Sequence, residues 1–148
     1  MKINKLNFIY SILLLFLVSC ESGIQKGNEL SKSDLNYIIE LGLLNKNEKI
    51  ILFSSQGGNK MSGNFISEKR LASYWIENRE ENNQINSAEF IAIDTLITKN
   101  LSESLTYASY IKVVKKDSSE FKVYIDGKPE EINKFFKRAI LEWKNRNK

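Results

Sequence analysis

The sequence of 148 residues contains no histidine, one cysteine and one proline. Without histidine, the chain cannot assemble a Ser-His-Asp or Cys-His catalytic relay, and it cannot hold zinc through imidazole ligands. A single cysteine cannot form a disulfide within the chain, so stability must come from a hydrophobic core, which a domain of this size can supply. These absences predict a protein that is not an enzyme and that binds neither a metal ion nor a cofactor.

The chain also lacks a strong excess of charge of either sign. It has 22 Lys and Arg residues against 18 Asp and Glu residues, a formal net charge of +4. Loss of residues 1–19 removes Lys2 and Lys5 and leaves 20 basic residues against 18 acidic residues, a net charge of +2. Nucleic-acid binding calls for a clustered basic face on a strongly cationic domain. We therefore predict that nucleic acid is not a partner.

What is present begins with an apolar run that ends at the only cysteine, in the segment MKINKLNFIYSILLLFLVSC. Two lysines precede the run, which covers residues 8–18. Its eleven residues would span roughly 16 Å as a helix, which is well short of the ~30 Å hydrocarbon core of a bilayer. A positive start, a short apolar stretch and a small residue before the cleavage point are typical of a secretory signal peptide.

The end of this segment, Leu17-Val18-Ser19-Cys20, resembles the lipobox of bacterial lipoproteins. The resemblance implies that the signal is cut before Cys20, that the sulfur of Cys20 carries a diacylglycerol and that the new amine is acylated. Two or three acyl chains anchor a protein stably, whereas one chain alone is marginal. The alternative is an ordinary secretory signal with a chance cysteine near its cleavage point.

The lipobox divides the chain into three parts. Residues 1–19 are predicted to be a lipoprotein signal peptide. Residues 20–29 are predicted to be the lipidated cysteine and a flexible tether, because ESGIQKGN has two glycines and no apolar periodicity. Residues 30–148 are predicted to form a single α+β domain. The expected location is the bacterial cell envelope, facing the periplasm or exterior, and Glu21 favours the outer membrane because it is not the aspartate associated with inner-membrane retention in enteric bacteria.

Periodicity in the domain predicts one helix followed by a series of strands. The segment SKSDLNYIIELGLLNKNE predicts a helix of about three turns, in which Ser31 or Ser33 caps and Leu35, Ile38 and Ile39 share a face. Short runs rich in β-branched and aromatic residues predict about seven strands. These strands are expected at residues 49–54, 65–66, 71–76, 88–93, 95–98, 105–114 and 121–125.

The last segment predicts a second helix. Pro129 suits the first helical position, and Glu130 and Glu131 complement the positive end of the helix dipole. An apolar stripe follows at helical spacing, which predicts packing against the sheet, with a partner surface or a membrane as the alternatives. The stripe consists of Ile132, Phe135, Phe136, Ala139, Ile140 and Trp143.

Two segments, GNFISEKRLASYWIE and INSAEFIAIDTL, carry a resemblance to a known family. The first, with Ser67-Glu68-Lys69-Arg70 in its turn, resembles the second hairpin of bacterial pleckstrin-homology-like domains, and the second resembles the strand pair that follows. The resemblance covers residues 48–143 and implies an antiparallel sheet or partial barrel of about seven strands with a C-terminal helix packed on it. The short N-terminal helix is an addition to that fold. The resemblance further implies assembly or scaffolding, and no residue match extends it to phosphoinositide binding.

Exposed loops on a rigid sheet commonly carry recognition, so we expect contacts at residues 54–64 and 78–84. Within the first loop, SSQGGNK lacks the Gly-x-x-x-x-Gly-Lys-Ser/Thr spacing of a phosphate-binding loop. The candidate binding residues there are Gln56, Gly57, Gly58, Asn59 and Lys60. The expected partners are the membrane, through the lipid anchor, and an envelope protein.

Three alternatives remain open at this stage. Paired carboxylates could serve a hydrolase, with Glu80 and Glu81 or Glu130 and Glu131 as the acids. A carrier of small apolar ligands would instead require an internal cavity. Finally, lysines near residues 112–122 could touch anionic headgroups, or they could be a solvated strand edge.

Overall fold

The computed structural model describes residues 23–76, 83–104 and 107–148. Cys20, the signal segment, Glu80 and Glu81 lie outside the described residues, as does most of the predicted 78–84 loop. Within the described ranges the chain has eight strands and two α-helices. They are β1 (Gln25–Lys26), α1 (Lys32–Glu40), β2 (Ile50–Ser54), β3 (Ser62–Ser67), β4 (Arg70–Trp75), β5 (Gln84–Glu89), β6 (Ile93–Lys99), β7 (Ser109–Lys115), β8 (Glu120–Ile125) and α2 (Pro129–Arg146).

The strands form two antiparallel sheets in simple chain order. One sheet has the order β1-β2-β3-β4-β5 and the other has the order β6-β7-β8. The 3₁₀ turn Phe90–Ala92 carries the chain from the first sheet to the second, and α2 follows the last strand. The predicted α+β fold, with antiparallel strands, a C-terminal helix and a short N-terminal helix, is therefore confirmed.

Several strand boundaries differ from the predicted ones. The extended segment expected at residues 88–93 is divided by the 3₁₀ turn, because Phe90 turns inward and is fully buried. The long strand expected at residues 105–114 corresponds to β7, which begins at Ser109. Residues 105–106 lie outside the described ranges. The predicted turn between β3 and β4 is confirmed at residues 68–69.

Residues 25–29, where the sequence predicts a tether, have regular structure in the fold. Gln25 and Lys26 pair with Phe53 and Leu52 of β2, and a 3₁₀ turn covers Gly27–Glu29. A Cβ atom on Gly27 would lie 1.9 Å from the carbonyl oxygen of Ile50, so only glycine lets the chain pass β2 this closely. Backbone pairing needs no apolar pattern, which explains why composition alone indicates a linker.

The N-terminal helix is capped by Ser31, which settles the choice between the two serines. Its hydroxyl accepts a hydrogen bond from the backbone N–H of Asp34 at 3.1 Å. The helix ends near Gly42, whose φ of +74° is favourable for glycine. Leu43 and Leu44 then turn back into the protein and are buried.

The buried apolar residues form two clusters on the opposite faces of the five-stranded sheet. The inner cluster fills the space between the sheets and α2, and includes Leu71, Val113 and Phe135. The outer cluster lies between the sheet and the α1 segment, and includes Ile38 and Phe53. Because both faces of the sheet are covered, β3 is buried along its whole length.

Helix α2 packs as its apolar stripe predicts. Ile132, Phe135, Phe136 and Ala139 are buried in the inner cluster, with Trp143 packed against it. The indole N–H of Trp143 donates to the carbonyl oxygen of Ile93 at 3.2 Å, which ties the end of the helix to the start of β6. The stripe therefore serves the domain's own core.

Candidate functional site

The inner face of the five-stranded sheet changes from apolar to polar along its strands. One row of paired residues across four strands is apolar and buried in the inner cluster: Leu52, Ile66, Leu71 and Ala88. The next row, two residues further along each strand, is entirely polar: Ser54, Asn64, Ser73 and Asn86. Alternate strand residues share a face, so both rows point to the same side of the sheet. Apolar packing between the sheets therefore gives way to polar side chains at the second row.

A cleft of about 320 Å³ opens beside this polar row, and we call it the polar cleft. Its walls come from β3, β4 and β5 of the first sheet, from the β2–β3 loop, and from β8 with the segment before β7. The lining residues are Gln56, Asn64, Ser73, Tyr74, Trp75, Gln84, Ala108 and Tyr124.

Asn64 fixes the two sheets relative to each other at the cleft. This buried side chain accepts a hydrogen bond from the hydroxyl of Ser73 at 2.8 Å and another from the backbone N–H of Tyr124 at 3.2 Å. One amide oxygen therefore joins β3, β4 and β8. Because buried polar groups are costly unless they are paired, this arrangement gives the cleft a defined wall.

Two aromatic side chains stand at the cleft with much of their surface in solvent. Trp75 and Tyr124 are each 40% exposed. The neighbours of Trp75 on adjacent strands are Ser62 and Gln84, which are too small or too polar to cover the indole. The ring of Tyr124 packs edge-on against Tyr110, with ring centroids 6.1 Å apart. That contact orients the ring while leaving its other side accessible.

Gln56 is the member of the predicted binding loop that lines the cleft. Its side-chain amide donates to the carboxylate of Asp126, after the end of β8. Its backbone N–H donates to the hydroxyl of Ser62 at 2.8 Å, and that hydroxyl donates back to the carbonyl oxygen of Gln56. The loop is therefore tied to both sheets next to the polar row.

The other predicted residues of the loop do not line the polar cleft. The side chain of Asn59 donates to the carboxylate of Asp34 on α1 at 3.2 Å, and Lys60 is exposed. Gly57 and Gly58 have φ angles of +81° and +113°, so the turn requires residues without a Cβ. The structure thus divides the predicted site between the polar cleft and the N-terminal end of α1.

The electrostatics at that helix end favour an ionised carboxylate. Hydrogen bonding from Ser31 is the main cause that holds the pKa of Asp34 below its usual value, with smaller contributions from Asn59 and the charge of Lys60. Nearby, burial raises the pKa of Tyr74, whose hydroxyl donates to the carbonyl oxygen of Asn59. Both contacts hold the loop against the body of the domain.

Asn64 and Gln84 are the last residues of the two segments, 54–64 and 78–84, in which the sequence predicts contacts, although both lie in strands. Sequence reasoning did not identify Ser73, Trp75 and Tyr124 as residues of the cleft. The available signal was the alternation of polar residues with Phe65, Ala72 and Tyr74. Alternation shows that one face of each strand is polar, but only the register shows that these faces form one row beside an opening.

The cleft presents amides, a hydroxyl and aromatic rings. These groups can form hydrogen bonds and stacking contacts, but they include no pair of a nucleophile and a base. Across the described ranges, no three Asp, Glu, His or Cys side chains are gathered closely enough to hold a metal ion.

Two of the four glutamates considered for hydrolysis lie at the start of α2. Glu131 accepts a hydrogen bond from the backbone N–H of Lys128 at 3.1 Å, as a capping residue does. Glu130 is exposed beside it.

The lysines near residues 112–122 are largely engaged. Lys112 pairs with Glu120 at 2.7 Å, and Lys115 lies 3.8 Å from Asp117. The ammonium of Lys122 lies 4.6 Å from the ring centre of Tyr110. These contacts favour a solvated surface of the sheet over a basic face. The expected strand edge is wrong for Lys112 and Lys115, because β7 is the central strand of its sheet.

Neither described helix has the length and apolar character needed to cross a bilayer.

Comparison with known proteins shows the fold. No protein-family profile matches the chain, and no curated protein matches it significantly. Among solved structures, the chain resembles a DUF1696 family protein with a pleckstrin-homology domain from Shewanella loihica, with a TM-score of 0.51 and 12% identity. The match covers 86% of this chain and 99% of the other. The described domain therefore has a pleckstrin-homology-like fold.

Proposed function

We propose that this chain is a lipid-anchored protein of the bacterial envelope whose domain binds an extended segment of a partner protein in the polar cleft. The observation that carries the proposal is the row of inward-facing polar residues beside a cleft that two exposed aromatic rings, Trp75 and Tyr124, also line. A sheet that only needed to close its core would continue the apolar row. Here the sheet instead presents hydrogen-bonding groups at an opening.

The chemistry of the lining suits a polypeptide. Gln56 and Gln84 each offer both an amide donor and an amide acceptor, which match the N–H and C=O groups of an extended backbone. Trp and Tyr are enriched at protein interfaces, where they supply large contact areas at low cost in conformational entropy. A carrier of small apolar ligands would need a mostly aliphatic lining, which this cleft lacks.

The anchor is supported by the sequence at the start of the chain. Leu17-Val18-Ser19-Cys20 resembles a lipobox and follows a positively charged start and a short apolar run. The lipid anchor would attach the domain to the bilayer, and the polar cleft would bind the partner. The role is scaffolding without catalysis, in the outer membrane by preference.

The cleft can be tested by photo-cross-linking in intact cells. A p-benzoyl-phenylalanine in place of Gln84 faces the cleft, while the same probe in place of Ile85 is also exposed but lies on the opposite face of β5. We expect an adduct with a partner polypeptide from position 84 and none from position 85. The variant Trp75→Ala should reduce that adduct at least tenfold, since a buried interface tryptophan is commonly a hot spot.

Cross-linking at both positions to the same extent would contradict the proposal, as would an adduct that Trp75→Ala leaves unchanged. Circular dichroism of Trp75→Ala serves as the control for folding, because the side chain is 40% exposed and its loss should not unfold the domain.

The anchor can be tested separately by mass spectrometry of the N-terminal peptide from purified membranes. The expected peptide begins at Cys20 and carries the mass of a diacylglycerol together with an acylated amine. Cys20→Ala should abolish this mass and release the protein from the membrane fraction, or leave the leader uncleaved. A mature chain with an unmodified thiol would contradict the anchor while leaving the cleft experiment valid.

A further inference from the structure

A second concave surface lies between α2 and the edge of the five-stranded sheet. It has a volume of about 410 Å³, and we call it the basic groove. No residue lines both the basic groove and the polar cleft. The lining residues are Lys26 of β1, Ile51 and Leu52 of β2, and Lys134, Lys137, Arg138 and Leu141 of α2.

Three of the four basic side chains that line the groove form no ion pair. Among the described residues, these are Lys26, Lys134 and Lys137, whereas Arg138 pairs with Glu142 at 2.8 Å. Ammonium groups that are not ion-paired are available to an anionic surface.

Three carboxylates lie near the groove and reduce its net charge. Glu29 accepts a hydrogen bond from the backbone N–H of Lys26 at 2.7 Å, and Glu131 accepts one from that of Lys128. Glu130 lies beside Lys134 and Lys137 and is exposed. Backbone hydrogen bonds hold the first two carboxylates at helix starts, and neither forms an ion pair with the lysines of the groove.

An exposed leucine lies among these cations. Leu141 is 51% exposed and lies on a different face of α2 from the buried stripe. Ile51 lies at the other wall and is half-buried. Helices that lie on membranes combine Lys or Arg with exposed apolar side chains in this way, since the charges meet headgroups and the apolar groups enter the interface.

The start of the chain determines which anionic surface is nearest. Lys26 is six residues after Cys20, and an extended chain spans at most about 3.6 Å per residue, so its α-carbon lies within roughly 22 Å of the cysteine. β1 is moreover paired with β2, the strand that forms the apolar wall of the groove. An acylated Cys20 would therefore keep Lys26, which lines the groove, within that distance of the anchor.

We propose that the basic groove docks onto anionic phospholipid headgroups, with Leu141 in the membrane interface, and thereby fixes how the anchored domain is oriented. This inference rests on the lipid anchor of the proposed function. Attraction to headgroups acts over about a Debye length, ~8 Å at physiological salt, a separation that the short connection to Cys20 permits. Each of the lysines is expected to raise the ratio of docked to undocked molecules about fivefold.

The test uses the lipidated full-length protein in vesicles, with Leu141→Cys labelled by an environment-sensitive fluorophore. Labelling is specific because the only natural cysteine carries the lipid. We expect a blue shift, and quenching by brominated lipid, in vesicles of phosphatidylcholine with phosphatidylglycerol. Neither effect is expected in phosphatidylcholine alone. Lys134→Glu with Lys137→Glu should reduce the docked-to-undocked ratio at least 25-fold.

Two controls make the test specific. Lys99→Glu with Lys116→Glu carries the same change in charge at exposed positions outside the groove, and it should leave the blue shift intact. The same fluorophore attached at Lys116→Cys should show the emission of an aqueous environment, without a blue shift, in both kinds of vesicle.

Equal spectra in the two kinds of vesicle, or equal losses in the two charge-reversed proteins, would overturn the proposal. Retention of the protein on phosphatidylcholine vesicles reports the anchor independently of the label. Failure of the anchor and failure of docking are therefore distinguishable.

Discussion

At the scale of single residues, Glu48 and Arg70 form a buried ion pair that closes the turn between β3 and β4. The glutamate side chain has no exposed surface, and its two oxygens each lie 3.0 Å from a guanidinium nitrogen of the arginine. Ser67 also donates its hydroxyl to this carboxylate. Ser67 and Arg70 are the ends of the turn that the sequence predicts, whereas Glu48 comes from another segment and was not predicted as their partner.

Arg70→Met should cost about 3–5 kcal/mol of unfolding free energy, because it leaves a buried carboxylate without its counter-ion. The double variant Glu48→Gln, Arg70→Met should recover much of that loss. The measurement is urea denaturation followed by circular dichroism. The matched control is Lys112→Met, which breaks the exposed pair with Glu120 and should cost less than about 1 kcal/mol. Equal losses in the two single variants would contradict the role assigned to the buried pair.

Asp34 predicts a pH dependence whose sign follows from its contacts. Its pKa is lower in the folded state than the usual 3.8, so the folded state favours the charged form. The resulting stability is present above pH 4 and is lost as pH falls through the folded pKa. The difference in unfolding free energy between the wild type and Asp34→Asn should therefore be fully present at about pH 5 and should shrink as the pH falls below 4. A gap that stays constant over this range would contradict the assignment.

At the scale of elements, α2 is the part of the fold in which periodicity and packing agree most closely. Its stripe faces the inner cluster, while its other positions carry the cations of the basic groove. The helix therefore contributes to both the core and the proposed membrane surface through different faces. This division allows the two roles to be separated by mutation.

Phe135→Ala should lower the unfolding free energy by about 3–5 kcal/mol, because it leaves a cavity at a fully buried position. Leu141→Ala, two turns along the same helix, removes an exposed side chain and should change the free energy by about 0.5 kcal/mol or less. Thermal denaturation of both variants checks this. A loss at Leu141 comparable to that at Phe135 would mean that the helix packs through a different face.

At the scale of the whole molecule, one sheet is shared by two hydrophobic clusters. Strands β2, β3 and β4 contribute side chains to the inner cluster on one face and to the outer cluster on the other. The second sheet and α2 supply much of the inner cluster, and the α1 segment supplies much of the outer one. We expect the two clusters to unfold together, because unfolding of the shared sheet would expose the apolar residues of both clusters to solvent.

Ile38→Ala in the outer cluster and Phe135→Ala in the inner cluster should each lower the unfolding free energy of the whole domain, and their effects should add. Urea transitions monitored by circular dichroism and by tryptophan fluorescence should coincide in both variants and in the double variant. Two separate transitions in the Ile38→Ala protein would show instead that the α1 segment is an independent unit.

The sequence by itself determined the elements whose physical cause is local. The stripe of α2, the start of α1 at one of two serines and the turn before β4 depend on residues within a few positions of one another, so their patterns can be recognised without coordinates. The resemblance in residues 48–143 added the fold. The proposed anchor likewise rests on four consecutive residues, Leu17 to Cys20.

The tertiary structure alone decided what depends on register and on distant contacts. Gln56 belongs to the polar cleft because the loop meets β8, and Asn64 belongs there because its amide oxygen reaches the backbone of Tyr124, sixty residues away. Lys26 joins the basic groove because β1 pairs with β2 beside α2. A polar residue in a strand has the same local pattern whether it faces open solvent or an opening between two sheets, so only the packing of the sheets distinguishes the two cases.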